Sequence, residues 1–366
     1  MKHWLAQFRY FDLSMFTSSM LLLVLGLLMI YSTTLSSPTN LMPRQLAYSV
    51  IGLAIFFFLA FFDYRNLKSA TWWLYLLIVV LLLLVWFVGR NIRGSTRWID
   101  LGIFRVQPAE FAKLVMVIIM AKFLDSTGEK IKSFRYVILS AFYVAVPVGL
   151  ILIEPDLGSS LVVFATWFAM LIFSRMNKKQ LLVMIVGLLL LAGISWVFLL
   201  QPYQKARVYT FLNPSLDPRG SGYNVLQSII AVGSGGIFGR GVGRGLQSQL
   251  KFLPEQQTDF IFASTAEELG LLGSLFILAL FSILLYRMIR TARTARDNFG
   301  MYLSLGIFFM LLVQVLINIG MNIGILPVTG IPLPLLSYGG SSLITTFAAL
   351  GLLQSVVARQ KAIRFN

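Results

Sequence analysis

Cysteine is absent from the chain, and histidine occurs once, as His3. The absence of cysteine excludes disulfide bonds, thiolate nucleophiles and Cys-ligated metals. A single His at the start of the chain argues against a His-based catalytic triad and against a His-rich metal site.

Charged residues are also scarce, at 12% of the sequence, whereas 58% of the residues are hydrophobic and the mean hydropathy is +0.82. A water-soluble core cannot absorb this much apolar surface, but a lipid bilayer can. The 30 Lys and Arg residues outnumber the 14 Asp and Glu residues. They lie in short clusters between apolar runs, which favours membrane orientation or an anionic lipid over a nucleic-acid partner.

Ten apolar runs are long enough for a membrane span, which needs about 20 mostly apolar residues. They predict an all-α polytopic membrane protein, with residues 1–366 as a single domain and residues 201–260 as a large extracytoplasmic loop between helices 7 and 8. Asn318, Gly320 and Asn322 interrupt the ninth run. The predicted spans are about 13–33, 45–62, 70–89, 108–124, 135–153, 157–174, 180–200, 261–286, 300–325 and 340–358.

The positive-inside rule predicts that both termini are cytoplasmic, since this orientation puts most Lys and Arg on the inner side. Nearly all the cations left on the outer side fall in two segments. An anionic ligand on the outer face would explain them, although long loops are also translocated regardless of charge. These cations are Arg90, Arg93, Arg97 and Arg105 in the first segment, and Lys205, Arg207, Arg219, Arg240, Arg244 and Lys251 in the second.

The glycine-rich run 233–245 lies in the large loop and contains Arg240 and Arg244. It follows no predicted strand and belongs to no βαβ pattern, which argues against a dinucleotide-binding loop. A flexible segment that brings the two arginines close to phosphate fits better. Leu226, Ile229 and Ile230 have helical spacing, so part of the loop is expected to be a helix at the membrane interface.

Ionisable residues inside a membrane span are functional candidates by default. Glu110 and Lys113 are three residues apart and should pair on one helix face, either as a buried strut or as a substrate contact. Asp156, in a tight turn after Glu154, is either a helix N-cap or a site residue. Glu267 and Glu268 are adjacent and point in different directions, so at most one of them is expected to face a shared cavity.

Two outer segments complete the candidate site. The sequence from Tyr338 to Ser342, which includes Ser341, predicts an irregular start to the last span, of the kind tolerated where backbone lines a cavity. Asp259 lies where the polar loop meets span eight, beside Phe260. Partial desolvation there would raise its basicity, as a general base requires. The same spacing also fits an N-terminal helix cap.

Five motifs follow one another along the chain: RGSTRWIDLG, QPAEFAK, EPDLGSS, LPEQQTDFIFASTAEELGLLG and NIGILPVTGIPLPLLSYGGSSL. Together they resemble the SEDS family (shape, elongation, division and sporulation), and the resemblance covers essentially the whole chain. The segments GLQSQLKFLPEQQTDFIFA and GIPLPLLSYGG look closer to its rod-shape RodA branch than to its division FtsW branch.

The resemblance implies a ten-helix peptidoglycan glycosyltransferase in the bacterial inner membrane. Such proteins polymerise lipid II on the outer face and work with a class B penicillin-binding protein. The family's essential aspartate falls on Asp259, its intramembrane acid–lysine pair on Glu110 and Lys113, and the acid of its PDLG turn on Asp156.

The expected chemistry needs little equipment. A lipid pyrophosphate leaves as a stable anion that cations can hold, whereas the acceptor sugar hydroxyl needs a base, for which Asp259 is the candidate. The sequence identifies no cofactor, and a divalent cation is compatible with this scheme. Two alternatives remain: a lipid II transporter with Glu110 and Lys113 on its path, and a non-catalytic scaffold for a transpeptidase.

Overall fold

The computed structural model describes residues 11–35, 41–92, 95–100, 102, 105–199, 201–214 and 221–360. Arg93, Arg219 and both chain termini lie outside the described residues. Most of the described chain is α-helical. The helices are α1 Leu13–Thr34, α2 Met42–Phe61, α3 Leu67–Val88, α4 Pro108–Thr127, α5 Phe134–Ile153, α6 Leu157–Ile172, α7 Lys178–Ile194, α8 Pro202–Leu212, α9 Ser221–Ser234, α10 Leu246–Gln249, α11 Ile261–Arg293, α12 Asn298–Asn322 and α13 Gly340–Gln360.

Each of the ten predicted spans coincides with a helix, which confirms the all-α membrane class. Among the described residues, eight helices are long and apolar enough to cross a membrane. The other two are α4, which carries Glu110 and Lys113 near its start, and α6, which has only 16 residues. Membrane crossing by α4 and α6 stays a prediction.

Helix α13 forms the centre of the helix bundle. Of the residues in its most apolar stretch, 83% are buried, against 6% in the corresponding stretch of α7. Helix α13 packs along α2, and two glycines permit this close approach. A Cβ atom at Gly351 would lie 2.6 Å from the carbonyl oxygen of Phe56, and one at Gly52 would lie 2.5 Å from the ring of Phe347. The apolar surface of α7 instead faces outwards, as expected of a helix that contacts lipid.

A small antiparallel sheet joins α3 to α4. Its strands are β1 Arg90–Ile92, β2 Ser95–Asp100 and β3 Arg105–Val106, in the order β1-β2-β3. Ile99 pairs with Val106 across β2 and β3. The sequence pattern indicated only a basic loop here. The sheet brings Arg97 and Arg105 to the start of α4.

The segment 201–260 is largely structured. It contains α8, α9 and α10, and the helical spacing of Leu226, Ile229 and Ile230 is confirmed by their position in α9. Their placement at the membrane interface stays a prediction.

Candidate functional site

One end of the helix bundle encloses a cavity of about 550 Å³. The first turns of α2, α4, α6 and α13 all contribute lining residues, and β2, β3 and α8 form other parts of the wall. Helix N-termini carry a partial positive charge and free N–H groups, so their convergence favours an anionic ligand.

Asp259 lines this cavity and is half-buried. It lies in a turn before α11, where its N–H donates to the carbonyl oxygen of Glu255 at 3.1 Å. The turn is fastened to the segment before α13, because Tyr338 N–H donates to Gln257 and the Ser337 hydroxyl donates to the Thr258 carbonyl. The Asp259 carboxylate faces Gly330, where a Cβ atom would lie 3.5 Å from Oδ2.

Glu110 also lines the cavity, and Lys113 lies behind it. The Lys113 Nζ donates to Glu110 Oε1 at 2.6 Å, and both side chains are buried. The predicted pair therefore exists. The sequence left open a buried strut or a substrate contact. The pair has features of both, because both side chains are buried and Glu110 also reaches the cavity.

Ser341 lines the cavity, and its hydroxyl accepts from Gln107 N–H at 2.9 Å. Asp156 lies behind the wall. It caps α6 through Ser159 N–H at 3.0 Å, and its Oδ2 accepts from Gln107 Nε2 at 2.9 Å. Asp156 thus fixes two lining residues, Gln107 and Ser159, while remaining buried itself.

Four arginines line the cavity: Arg44, Arg97, Arg105 and Arg207. The sequence pattern placed the last three on the outer side but did not single out Arg44. Pro43 is the feature of the sequence that could have indicated Arg44, because proline is typical of the first turn of a helix. Arg44 therefore lies at the N-terminus of α2, which is one of the helix N-termini that line the cavity. Each side chain supplies a permanent positive charge and several donors, which suits a phosphate ligand.

Arg240 and Arg244 do not line this cavity. Their glycine-rich segment is inserted into a break in α11 at Gly270, which has a φ of +69°. In an unbroken helix, Leu271 N–H and Leu272 N–H would donate to the carbonyls of Glu267 and Glu268. Instead, those amides donate to Gly236 and Ile237, and those carbonyls accept from Arg240 and Gly241.

The side chains of Glu267 and Glu268 fasten the same segment. Both are buried, and both contact the Ser248 hydroxyl, at 3.1 and 3.2 Å respectively. Ser248 lies within reach of both carboxylates, and neither side chain lines the cavity, which agrees with the expectation that at most one of them would face it. Gly243 N–H donates to Glu268 and Gln247 N–H donates to Glu267, so these amides bind carboxylates of the protein.

Glu154 is buried beside the cavity wall at 1% exposure, and neither carboxyl oxygen has a hydrogen-bond partner among the described residues. Burial, with a further contribution from the charge of Asp156, raises the pKa of Glu154 to about 8 against the opposing effect of Arg97. Arg97 holds the turn through the backbone carbonyls of Glu154 and Pro155.

Within the described ranges, no group of three or more His, Cys, Asp or Glu side chains is arranged to hold a metal ion. Two carboxylates, Glu255 and Asp259, line the cavity in the turn before α11. Mg²⁺ is commonly bound by one or two carboxylates together with the phosphates of a substrate. A divalent cation that arrives with a pyrophosphate is therefore compatible with this site.

These features define a polytopic helical membrane protein with an arginine-rich cavity and a half-buried aspartate in its wall. The sequence matches the cell cycle protein family FTSW_RODA_SPOVE over residues 12–362, and the chain belongs to this family. This confirms the resemblance carried by the motifs.

Relatives of known name span almost the full chain. The peptidoglycan glycosyltransferase MrdB of Escherichia coli K12 is 38% identical over 97% of this chain and 95% of its own length. The stage V sporulation protein E of Bacillus subtilis 168 is 40% identical over 94% of this chain and 96% of its own length.

Solved structures agree with the fold. The rod shape determining protein RodA of Thermus thermophilus has a TM-score of 0.71 and 32% identity, covering 95% of this chain and 96% of that one. A chain from a study of polymerization and crosslinking by a peptidoglycan synthase complex has a TM-score of 0.82 and 36% identity. It covers 96% of this chain and 99% of that one.

Proposed function

We propose that this chain is a peptidoglycan glycosyltransferase that polymerises lipid II into glycan strands at the outer face of the bacterial inner membrane during cell elongation. Lipid II is a disaccharide-peptide linked to undecaprenyl pyrophosphate. The enzyme class rests on the family and on relatives such as MrdB. The observation that carries the mechanism is the position of Asp259 in a cavity that also contains four arginines.

In the proposed reaction, the Asp259 carboxylate removes the proton from the acceptor 4-hydroxyl. The acceptor oxygen then attacks the anomeric carbon of the donor with inversion, and the bond from that carbon to the pyrophosphate breaks. The pyrophosphate leaves with the bonding electron pair, and the cavity arginines stabilise its charge. Because this anion is stable, no protein acid is needed to protonate it.

The remaining assignments follow from the same scheme. Glu110, Lys113, Asp156 and Ser341 would shape the substrate site, with Lys113 and Asp156 acting through their partners at the cavity wall. A class B penicillin-binding protein is the proposed partner, and both termini are proposed to be cytoplasmic. The partner is supported by the likeness to a chain of a peptidoglycan synthase complex.

The decisive experiment measures glycan strands made from lipid II by purified protein. Asp259→Asn should lower the rate by about 10²–10⁴-fold, which is the usual contribution of a general base. Glu255→Gln removes the neighbouring cavity carboxylate and should cost less. An undiminished rate for Asp259→Asn would rule out this role. A transporter would instead depend on Glu110 and Lys113 and tolerate Asp259→Asn.

A second experiment locates the pyrophosphate site by comparing two matched pairs of exposed arginines. Arg44→Gln with Arg105→Gln should weaken lipid pyrophosphate binding in a salt-dependent way, because both side chains line the cavity. Arg240→Gln with Arg244→Gln removes the same charge from the glycine-rich segment. If only the Arg240 and Arg244 variant lost binding, the anion site would have to lie in the glycine-rich segment and not in the cavity.

A further inference from the structure

Two asparagines on α12, Asn318 and Asn322, lie directly behind the turn that carries Asp259. They are one helical turn apart, so their side chains share a face, and both are 0% exposed. In the sequence they are merely interruptions of an apolar run. A buried carboxamide is retained at low cost only where its donors and acceptors find partners, so the identity of those partners is informative.

Asn322 occupies the place of a missing helical hydrogen bond. In a continuous helix, Ala263 N–H would donate to the carbonyl of Asp259. Here Asn322 Nδ2 donates to the Asp259 carbonyl at 3.0 Å, and Asn322 Oδ1 accepts from Ala263 N–H at 3.0 Å. The side chain thus keeps Asp259 outside α11 while satisfying both backbone groups.

Asn318 connects the same carbonyl to the opposite wall of the cavity. Its Nδ2 donates to Asp259 O at 3.0 Å and to Ile331 O at 2.7 Å. Ile331 lies between Gly330 and Pro332, which both line the cavity, and Gly330 faces the Asp259 carboxylate. The side-chain amide nitrogen of Asn318 therefore sets the spacing between Asp259 and the wall segment at Gly330 that the carboxylate faces.

We infer that Asn318 and Asn322 are positioning residues that fix the Asp259 carboxylate relative to the cavity wall for the reaction. This inference rests on the proposed function, since it requires Asp259 to be the base. Both asparagines act through backbone groups, those of Asp259 and, for Asn318, of Ile331, and neither side chain is among the residues that line the cavity. Their contribution should be to the rate of the chemical step.

The test replaces the donor without changing the shape of the side chain. Asn318→Asp cannot donate to both carbonyls, so the Asp259 turn and the Gly330 segment should move apart. A displacement of this kind costs on the order of 10²-fold in rate. We expect kcat for glycan synthesis to fall by about that factor, while KM for lipid II changes much less than kcat.

The matched control is Gln314→Glu, on the same helix one turn before Asn318. Gln314 is also a buried carboxamide, and its Nε2 donates to Met310 O of its own helix. If burying an acid in α12 were the whole effect, both variants would lose the same kcat and the inference would be overturned. Thermal unfolding and the folded fraction in detergent are measured for each, and kcat is expressed per folded protein.

If Asn318→Asp does not fold, Asn318→Ser and Gln314→Ser repeat the comparison without adding a charge. A full kcat in the folded Asn318 variant would overturn the positioning role. The two failures are distinguishable. Full activity of Asp259→Asn contradicts the proposed function, whereas an inactive Asp259→Asn together with a fully active Asn318→Asp contradicts only the inference drawn from the asparagines.

Discussion

At the scale of single residues, the buried carboxyl of Glu154 in the turn beside the cavity should make the folding stability depend on pH. The folded protein raises its pKa to about 8, from the 4.5 of an exposed carboxyl. A group of this kind binds its proton more tightly in the folded state. Its contribution to folding stability is therefore full below the unfolded pKa and is lost as pH rises through the folded one.

Glu154→Gln keeps the shape of the neutral side chain and cannot ionise. The variant should gain thermal stability relative to the unmodified protein as pH rises from about 5, and the difference should level off above about 8. The measurement is the unfolding midpoint in detergent across this range. The comparison variant is Glu129→Gln, because hydrogen bonds from Lys132 and Arg175 lower the pKa of that exposed carboxyl. If the difference in unfolding midpoint from the unmodified protein did not change with pH in either variant, the raised pKa of Glu154 would be contradicted.

Some residues of the candidate site can be predicted from the sequence, and others cannot. Asp259 and Glu110 stand out because a carboxylate in or beside an apolar run is costly, and both line the cavity. Arg240 and Arg244 stand out by charge alone, and charge does not reveal that their glycine-rich segment is inserted elsewhere, at Gly270. The role of Asn322 could not be predicted, since it depends on a partner 63 residues away in the chain.

At the scale of elements, the break in α11 requires glycine at position 270. Its φ of +69° is unfavourable for other residues, and a Cβ atom would lie 2.2 Å from Gly239 N. Gly270→Ala should therefore destabilise the protein and expel the inserted segment. The readout is faster hydrogen exchange at the amides of Arg240, Gly241, Leu271 and Leu272, which form the four hydrogen bonds of the insertion.

Gly149→Ala serves as the control for that experiment. Gly149 is inside α5, and nothing lies within 4 Å of a Cβ atom built on it. Alanine there should stabilise the helix by about 0.5–1 kcal/mol. Unchanged exchange at the four amides in Gly270→Ala would show that the insertion tolerates a side chain at this position.

Helices and their connections differ in how much of them is predictable. A long apolar run predicts a helix by itself, and all ten predicted segments coincide with helices. The pairing of β2 with β3 and the insertion at Gly270 depend on backbone hydrogen bonds between separate segments. Such contacts leave no periodic signal in either segment.

At the scale of the whole molecule, the absence of cysteine makes membrane orientation directly measurable, since no native thiol is present. Asn177 and Thr294 are exposed residues between α6 and α7 and between α11 and α12. Val242, in the glycine-rich segment, is exposed as well.

With both termini cytoplasmic, Asn177→Cys and Thr294→Cys should be protected from a membrane-impermeant maleimide in intact spheroplasts, whereas Val242→Cys should react. Permeabilised membranes should label all three, which controls for local accessibility. The opposite labelling pattern would put the Asp259 cavity on the cytoplasmic side and remove the basis for polymerisation at the outer face.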